Sequence, residues 1–484
     1  MMRLPNYSFL IGLLFLTSLN LYGQNTVSFN LENKETILAS FEVPGRGVYV
    51  KTGSERLIVK DNNWMIYHFD EAGDLVWKVP IVKDQIEKGM SDYFVGSPYS
   101  EYVYHIESQG YNPIVGPAHF MVNRIKDGMF KMFEIKKVEK LAFSDDVDDW
   151  FVSGEGLHGI RKDKVDNNKE GLFFLYSWDH TNLDQTDFAI DLPDLDKEDK
   201  FTDWWFQGHS ADQLYFLRKQ DLKGNPQKSH ESIDFELAIV ALNGTLQKTT
   251  RFTIKLKGNK LLLPHADRSF NGGAEISHTG IIYSTIASSP GASSSSKRDE
   301  NFSFDMYGGI WFDEAGGWYV YGIYDDGSEK TMEVDGMYLQ QFDSDGNLLN
   351  EKTYPLPASD DRHKMISADP RYFNARFNPV PGKGFVLDFY SITRIYSFDI
   401  APDLSLLKKS TLSFRESYKE ADIKTGVGNS EFAPEQRSYL NGALKRLKTR
   451  GEYSNVIRYF GNNGYYHLLV FSGNQAELST FEAN

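Results

Sequence analysis

The chain has 484 residues, 40% hydrophobic and 25% charged, a balance that excludes general disorder and suffices for one large core or two to three ordinary ones. Its net charge of −15 excludes the clustered positive surface that nucleic acid demands; it also speaks against attraction to an anionic membrane and reads most simply as solubility through self-repulsion. No cysteine occurs, which excludes disulfides, thiolate nucleophiles, cysteine-ligated clusters and a lipid anchor through cysteine.

The N-terminus, "MMRLPNYSFLIGLLFLTSLNLYGQ", places Arg3 before an apolar run from Phe9 to Leu16 and small residues up to Gly23. That is the order of a signal peptide, so residues 1–23 are expected to be removed and the chain exported to the periplasm or the cell exterior. The run is short for a membrane span of about 20 residues, and no later segment is long and apolar enough to be one. Export of a cysteine-free chain fits a bacterial envelope.

From Ile66 onward one unit recurs: an apolar-aromatic strand, a turn with Asp, Asn or Gly, then a second strand. The first copy is "IYHFDEAGDLVWKVP". Further copies turn at Gly128, near Asp184, at Gly244, at Gly346, near Asp403 and near Asn474. Such turns need a left-handed backbone at one position, which Gly, Asn and Asp tolerate. From Gly73 the steps are 55, 56, 60, 102, 57 and 71 residues. This spacing, with aromatic residues at 14% and no helical period, predicts an all-β fold: a β-propeller of four-stranded antiparallel blades, the hairpin forming each blade's outer pair. Between the hairpins, "SEYVYHIES", "DQLYFLRKQ", "GIIYSTIAS", "GWYVYGIYDD" and "GFVLDFYSI" are read as inner strands.

Next to one of these lies the strongest binding candidate, "DKFTDWWFQGHS". It forms the link from one outer strand to the next inner strand. Trp204, Trp205, Phe206 and His209 are the candidate ligand-binding residues: on one reading alternation buries one indole and sets the other at the channel mouth beside His209, suited to stacking on a sugar or peptide. The alternative is that both indoles pack between sheets.

The long step between Gly244 and Gly346 holds a Ser-rich tract, read as a flexible loop at about 287–304. Either one blade carries it as an insertion, giving seven blades, or one blade lacks a recognisable outer hairpin, giving eight; seven hairpins favour seven. Toward the C-terminus, "PEQRSYLNGALKRLKTRG" sets Leu440, Ala443, Leu444 and Leu447 on one stripe, so a short helix is expected near 434–450. Its basic residues suit a helix C-terminus, and they are also a candidate docking site. Both ends of the mature chain read as strands, as they would if the ring closes by pairing them. Residues 24–484 are therefore expected to form a single propeller domain.

With its hairpin placed among the copies, the opening stretch resembles the repeat of quinoprotein-type propellers through Asp70, Gly73 and Trp77. The other copies carry Met132, Lys248 and Asn350 where that repeat has tryptophan. A quinone is therefore not carried over, and no cofactor is expected.

The search for chemistry finds no helical histidine pair, no GxSxG elbow and no phosphate loop. The acidic runs Ser144–Trp150 and Asp191–Asp203 lack calcium-loop spacing and read as solvated loops, so no metal is assigned. Catalytic residues stay unassigned. The expected function is a binding or interaction scaffold of the envelope or exterior, for a protein, peptide or glycan partner. The alternative is a secreted carbohydrate-active hydrolase or lyase with its site at the channel mouth.

Overall fold

The computed structural model describes residues 24–30, 35–43, 45–54, 64–81, 91–109, 119–135, 149–162, 173–190, 192–193, 201, 204–220, 232–255, 260–261, 275–276, 282–285, 309–313, 316–325, 333–334, 336–356, 363–364, 374–380, 384–390, 394–413, 453–460, 465–472 and 475–482. The expected signal peptide, the Ser-rich loop and the helix near 434–450 lie outside the described residues.

Among the described residues the regular elements are strands, in five sheets of four strands, one of five, one of six and one of two. The larger sheets are antiparallel meanders. Sheet I comprises Glu35–Val43, Gly47–Ser54, Trp64–Phe69 and Leu75–Ile81, with Ile282–Thr285 and Glu275–Ile276 added beyond its first strand. Sheet II is Ser91–Gly96, Val103–Gln109, His119–Lys126 and Met129–Ile135. Sheet III is Asp149–Val152, Gly156–Lys162, Phe173–Asp179 and Gln185–Ile190. Sheet IV is Trp205–His209, Gln213–Lys219, Ser232–Ala241 and Leu246–Lys255. Sheet V is Gly309–Phe312, Trp318–Asp325, Gly336–Phe342 and Leu348–Pro355, with Lys260–Leu261 on the same edge as Gly309–Phe312. Sheet VI is Asn374–Val380, Gly384–Tyr390, Arg394–Ile400 and Leu406–Ser413. In sheet VII the chain's first strand, Gln24–Asn30, joins the last three, Gln24 standing opposite Phe481.

The sequence pattern accounts for the order within a sheet. In sheet IV all five residues of the first strand are buried, as a strand covered on both faces requires. In sheet III the fourth strand, Gln185–Ile190, is exposed at four of its six positions, as an edge facing water should be. In sheets I to VI the recurring hairpins are the third and fourth of the four consecutive strands; in sheet VII the hairpin near Asn474 forms the second and third, and Gln24–Asn30 is the fourth. The aromatic segments read as inner strands prove mostly to be second strands; in sheets II, III, IV and V the first strands are shorter, such as Asp149–Val152, and their brevity hid them.

Each sheet packs on the next in the order VII, I, II, III, IV, V, VI. Val48 and Phe69 meet Leu478 between VII and I; Tyr49 meets Phe94 between I and II. Tyr104 and Phe120 meet Trp150 between II and III; Phe151 meets Trp204 and Phe206 between III and IV. Phe252 meets Trp318 between IV and V; Trp311 and Tyr319 meet Phe377 and Phe385 between V and VI. Burying one such side chain contributes roughly 1.5–3 kcal/mol.

The hairpin turns reinforce this stacking, because each lies on the outer strands of the sheet before it. Gly73 abuts Thr480, Gly128 abuts Trp77, and Gly244 abuts Phe188. At Gly346 the backbone is left-handed (φ +86°), and a Cβ would stand 2.3 Å from the Arg251 carbonyl oxygen, so only glycine fits. The matching position in sheet VI is Leu404, which is left-handed too (φ 64°). Its side chain is wholly buried, and its carbonyl accepts the Tyr354 hydroxyl at 2.9 Å across the V–VI boundary.

Candidate functional site

Trp204, Trp205, Phe206 and His209 are brought together differently from the expectation. Trp204 and Phe206 point into the boundary with sheet III, and Trp205 points into the boundary with sheet V. The Trp204 indole donates to the Pro193 carbonyl at 2.9 Å under the Arg218 guanidinium, 4.3 Å from its ring. The Trp205 indole donates to Gln207 Oε1 at 2.9 Å. Both indoles are buried, so of the two arrangements the sequence allowed, the one in which both pack between sheets is present and neither lines a channel mouth. Alternation does set them on opposite faces, but both faces of sheet IV are covered. His209 stands at the far end of the strand: Trp205 lies opposite Leu217 and His209 opposite Leu214, roughly 10 Å further along.

At that end the first turns of sheets II, III and IV meet. Each begins with a serine directly after the first strand: Ser97, Ser153 and Ser210. Ser97 Oγ accepts the Tyr99 amide, and Ser153 Oγ accepts the amides of Glu155 and Gly156. Gly154 sits against the Tyr99 carbonyl. Three histidines join these turns. With its acceptor capacity so used, Ser153 donates its hydroxyl proton to His158 Nε2 at 2.7 Å; His158 Nδ1 then donates to Ser177 Oγ at 2.7 Å, its cross-strand partner. His180 Nδ1 accepts the Tyr104 hydroxyl at 2.6 Å from sheet II. Its Nε2 donates to the Ser153 carbonyl at 2.9 Å, with Ser100 Oγ at the same distance. His209 Nδ1 donates to the Ser210 carbonyl at 2.9 Å, and its Nε2 has no partner among the described residues. The Phe151 ring lies between His158 (4.7 Å) and His209 (4.5 Å).

These imidazoles are held neutral. Burial pushes His158 down to about 3, and the nearby His209 and His180 add to the effect. Burial pushes His209 down to about 4 against the pull of the Ser210 carbonyl. His180 is lowered by burial, opposed by its bond to the Ser153 carbonyl and by Asp179. The surface above is aromatic. Tyr99 is 39% exposed, with its ring 6.0 Å from His209 at 68°. Tyr102 stacks on His180 and has Arg124 and Lys126 over its ring; Lys126 is ion-paired with Glu101.

Sequence reasoning named His209 and missed His158, His180, Ser153 and Tyr104. Their contacts join different sheets, with Tyr104 and His180 separated by 76 residues. The recurring serine after each first strand was the available signal.

Elsewhere, two buried cationic side chains have close partners. Arg218 binds Glu236 across sheet IV (Nη2 to Oε2, 2.5 Å), and Arg251 reaches the same carboxylate at 3.3 Å. Lys51 Nζ lies 2.7 Å from His105 Nε2 between sheets I and II. Among the described residues no group of three or more histidine, aspartate or glutamate side chains is placed to hold a metal ion, and no helix is long and apolar enough to cross a membrane.

The chain matches no protein-family model and no curated protein. Among solved structures, similarity extends to the polysaccharide lyase Uly1 at 10% identity and a TM-score of 0.41, covering 90% of this chain and 88% of that one. Prolyl oligopeptidase B from Galerina marginata is similar at 11% identity and a TM-score of 0.36, covering 91% of this chain and 47% of that one. Synechocystis apocarotenoid oxygenase follows at 6% and 0.33, covering 81% and 94%. With all three scores below 0.5, the architecture rests on this chain's own strands: antiparallel sheets of four strands that fit a blade repeat.

Proposed function

We propose that the mature chain is an exported seven-bladed β-propeller that acts as a binding scaffold for a protein, peptide or glycan in the periplasm or outside the cell. Export follows from the leader-like residues 1–23. Sheets I to VII support a count of seven, since VII, I, II, III, IV, V and VI pack in succession; closure of the ring between VI and VII is part of the proposal. The first strand's place in sheet VII supports that closure, since a sheet shared by both chain ends fastens the ring.

The observation that carries the binding role is the junction of sheets II, III and IV. Ser153 and His180 tie the first turns of sheets II and III together, His209 of sheet IV lies against Tyr99 and Phe151, and Tyr99 is part exposed. A rigid surface with an exposed aromatic loses little entropy on binding. The rival reading, a carbohydrate-active hydrolase or lyase, would use His209 as its general base, since its Nε2 is unoccupied. A group held at about 4 is a weak base near neutrality, where proton transfer is best served by a pKa close to the working pH. Binding is the better supported role.

The test is capture. Immobilised mature protein is exposed to envelope extract from its own source, beside a Tyr99→Ala variant of matching circular dichroism. A protein or glycan retained by the first and lost by the second supports the scaffold. Retention of nothing, or shortening of polysaccharides with release of new chain ends, overturns it.

A further inference from the structure

One connection joins sheets that are not neighbours. After sheet IV ends at Lys255, the chain pairs briefly on sheet V, with Lys260–Leu261 opposite Asp325 and Tyr324. It comes back to the same edge of sheet V at Gly309–Phe312. Between these two visits Ile282–Thr285 bonds to Glu35–Val43 of sheet I, Thr285 opposite Ala39 and Ser284 opposite Ser40. Glu275–Ile276 pairs on its other side. Sheets II, III and IV stand between I and V in the packing order. Residues 262–308 therefore form a strap from sheet V to sheet I and back.

The strap is bonded to inner edges at each of its contacts. First strands of neighbouring sheets approach one another: VII and I, I and II, II and III, V and VI. Lys260–Leu261 and Gly309–Phe312 lie on the first-strand edge of sheet V, and Ile282–Thr285 lies beyond the first strand of sheet I. In the proposed ring, that course crosses the middle.

What the strap covers in sheet I is a backbone edge. The free side of an edge strand is a row of N–H and C=O groups, a template for the addition of another strand. Glu35–Val43 has nine residues and is the longest first strand of the seven sheets. Among the described residues, the strap bonds on that side to two of the nine, Ala39 and Ser40. They follow the bulge at which pairing with Gly47–Ser54 shifts between Ile37 and Ala39. A strand that continued antiparallel past Ser40, along Phe41, Glu42 and Val43, would pair five residues where the strap pairs two. The strap's advantage is its tether, which raises its effective concentration without any further contact. It holds the edge against short competitors and yields to a longer strand. Its own sequence over residues 281–286, Ile-Ile-Tyr-Ser-Thr-Ile, is uncharged and made for strands.

We infer that the inner edge of Glu35–Val43 is a strand-addition site for an extended, uncharged, β-branched peptide segment, and that residues 262–308 carry the internal strand that competes for it. This goes beyond the scaffold reading, since it adds a site remote from the junction of sheets II, III and IV and makes access to it conditional.

The chain has no cysteine, so a cysteine pair placed across the contact reports on it cleanly. Ser40 and Ser284 stand directly opposite, and opposed residues of an antiparallel pair lie about 4.5–5.5 Å apart at Cα, within disulfide range. Mature protein carrying Ser40→Cys with Ser284→Cys is oxidised, and loss of both thiols is read by mass spectrometry. The probe is a fluorescein-labelled peptide of residues 280–289, followed by anisotropy, with the same peptide carrying Ser284→Pro as its control. The cross-link is expected to form, and the oxidised protein should bind the probe about tenfold more weakly than the reduced one. Ser284→Pro in the protein, which removes a backbone donor from the strap, should bind it about tenfold more tightly than the unaltered chain. The proline peptide should not bind. Failure of the cross-link to form, equal binding by oxidised and reduced protein, or no binding by the Ser284→Pro protein overturns the inference. Should Ser284→Pro fail to fold, the oxidised and reduced forms of the cysteine pair still decide. Absence of any peptide response, with capture through the Tyr99 surface intact, rejects this edge and leaves the scaffold reading standing.

Discussion

Two boundaries between neighbouring sheets are built from different materials. Between IV and V the buried contact is apolar: Phe252, Trp318 and Phe342 form a mutual cluster with centroids 5.1–5.8 Å apart, and Tyr215 stacks on Phe312 at 3.7 Å, while at the exposed rim Lys248 reaches Asp345 and the Ser344 carbonyl. Between II, III and IV an apolar base of Phe120, Trp150, Trp204 and Phe206 is capped at one end by histidines and serines that bond from turn to turn. The apolar boundary obtains its strength from area, is indifferent to direction and has no group titrating near neutrality. The capped one gives each polar atom a particular partner and makes the junction depend on neutral histidine. Its geometry is more exact and its stability more conditional.

The largest expected effect lies in the apolar boundary. Trp318 is wholly buried, and Trp318→Ala should cost about 3–5 kcal/mol from lost contacts and the cavity left behind. Denaturant unfolding at pH 7 and again at pH 5.5 measures it. The two losses should agree, since none of the clustered groups changes charge between these values. A loss that differs by more than about 1 kcal/mol between the two would refute the picture of an apolar buried cluster.

Acid should act on the capped boundary. His158 and His209 have folded pKa values of about 3 and about 4, below the 6.5 of the unfolded chain. The unfolded state therefore binds more protons within that window, and stability falls as pH drops from 6.5 toward the folded values. For these two histidines the fall between pH 6.5 and 5 is about 3 kcal/mol. His180 shifts in the same direction, with Asp179 and Glu101 opposing its shift and Arg124 assisting. Denaturation midpoints across this range test the point; a flat profile would show that the imidazoles are not held neutral.

Within the same boundary, His158→Leu should cost about 1–3 kcal/mol at pH 7, because Ser153 and Ser177 lose their partner. It should also remove about half of the acid sensitivity between pH 6.5 and 5. The second effect is the sharper one. A variant that merely packs badly would lose stability equally at every pH.

How far the sequence disclosed this depends on the range of the forces involved. The hairpins at Gly73, Gly128, Gly244 and Gly346 were legible because a left-handed turn position is a local demand met by glycine. Leu183 and Leu404 occupy such positions without glycine. Those turns were located only through Asp184 and Asp403, and the reason a leucine serves in one of them, a buried side chain beside Tyr354, is a tertiary fact. The tryptophan pair shows the opposite limit. Alternation assigned Trp204 and Trp205 to opposite faces, and only the packed neighbours reveal that neither face meets water. The histidine junction was least legible, since His180 draws partners from residues 76 and 80 positions away.

The smallest predicted effects compare one substitution in the two boundaries. Gly346 carries the turn by which sheet V rests on sheet IV. Its φ of +86° disfavours any side chain, and a Cβ would meet the Arg251 carbonyl oxygen at 2.3 Å and Thr250 Cγ2 at 2.8 Å. Alanine there should destabilise by about 1–3 kcal/mol, from backbone strain and displacement of the turn. Gly154 lies in the capped boundary, has no left-handed backbone, and would bring its Cβ only to ordinary contact, 3.4 Å from the Tyr99 carbonyl oxygen. Gly154→Ala should therefore change stability by less than about 0.5 kcal/mol. It tests the capped junction from the outside: if hydrogen bonds, and not the shape of the turn, hold that surface, an added methyl group is tolerated and the acid profile stays as it was. A Gly154→Ala variant as damaged as Gly346→Ala would mean that both boundaries are held by close backbone packing, with the histidines secondary in each.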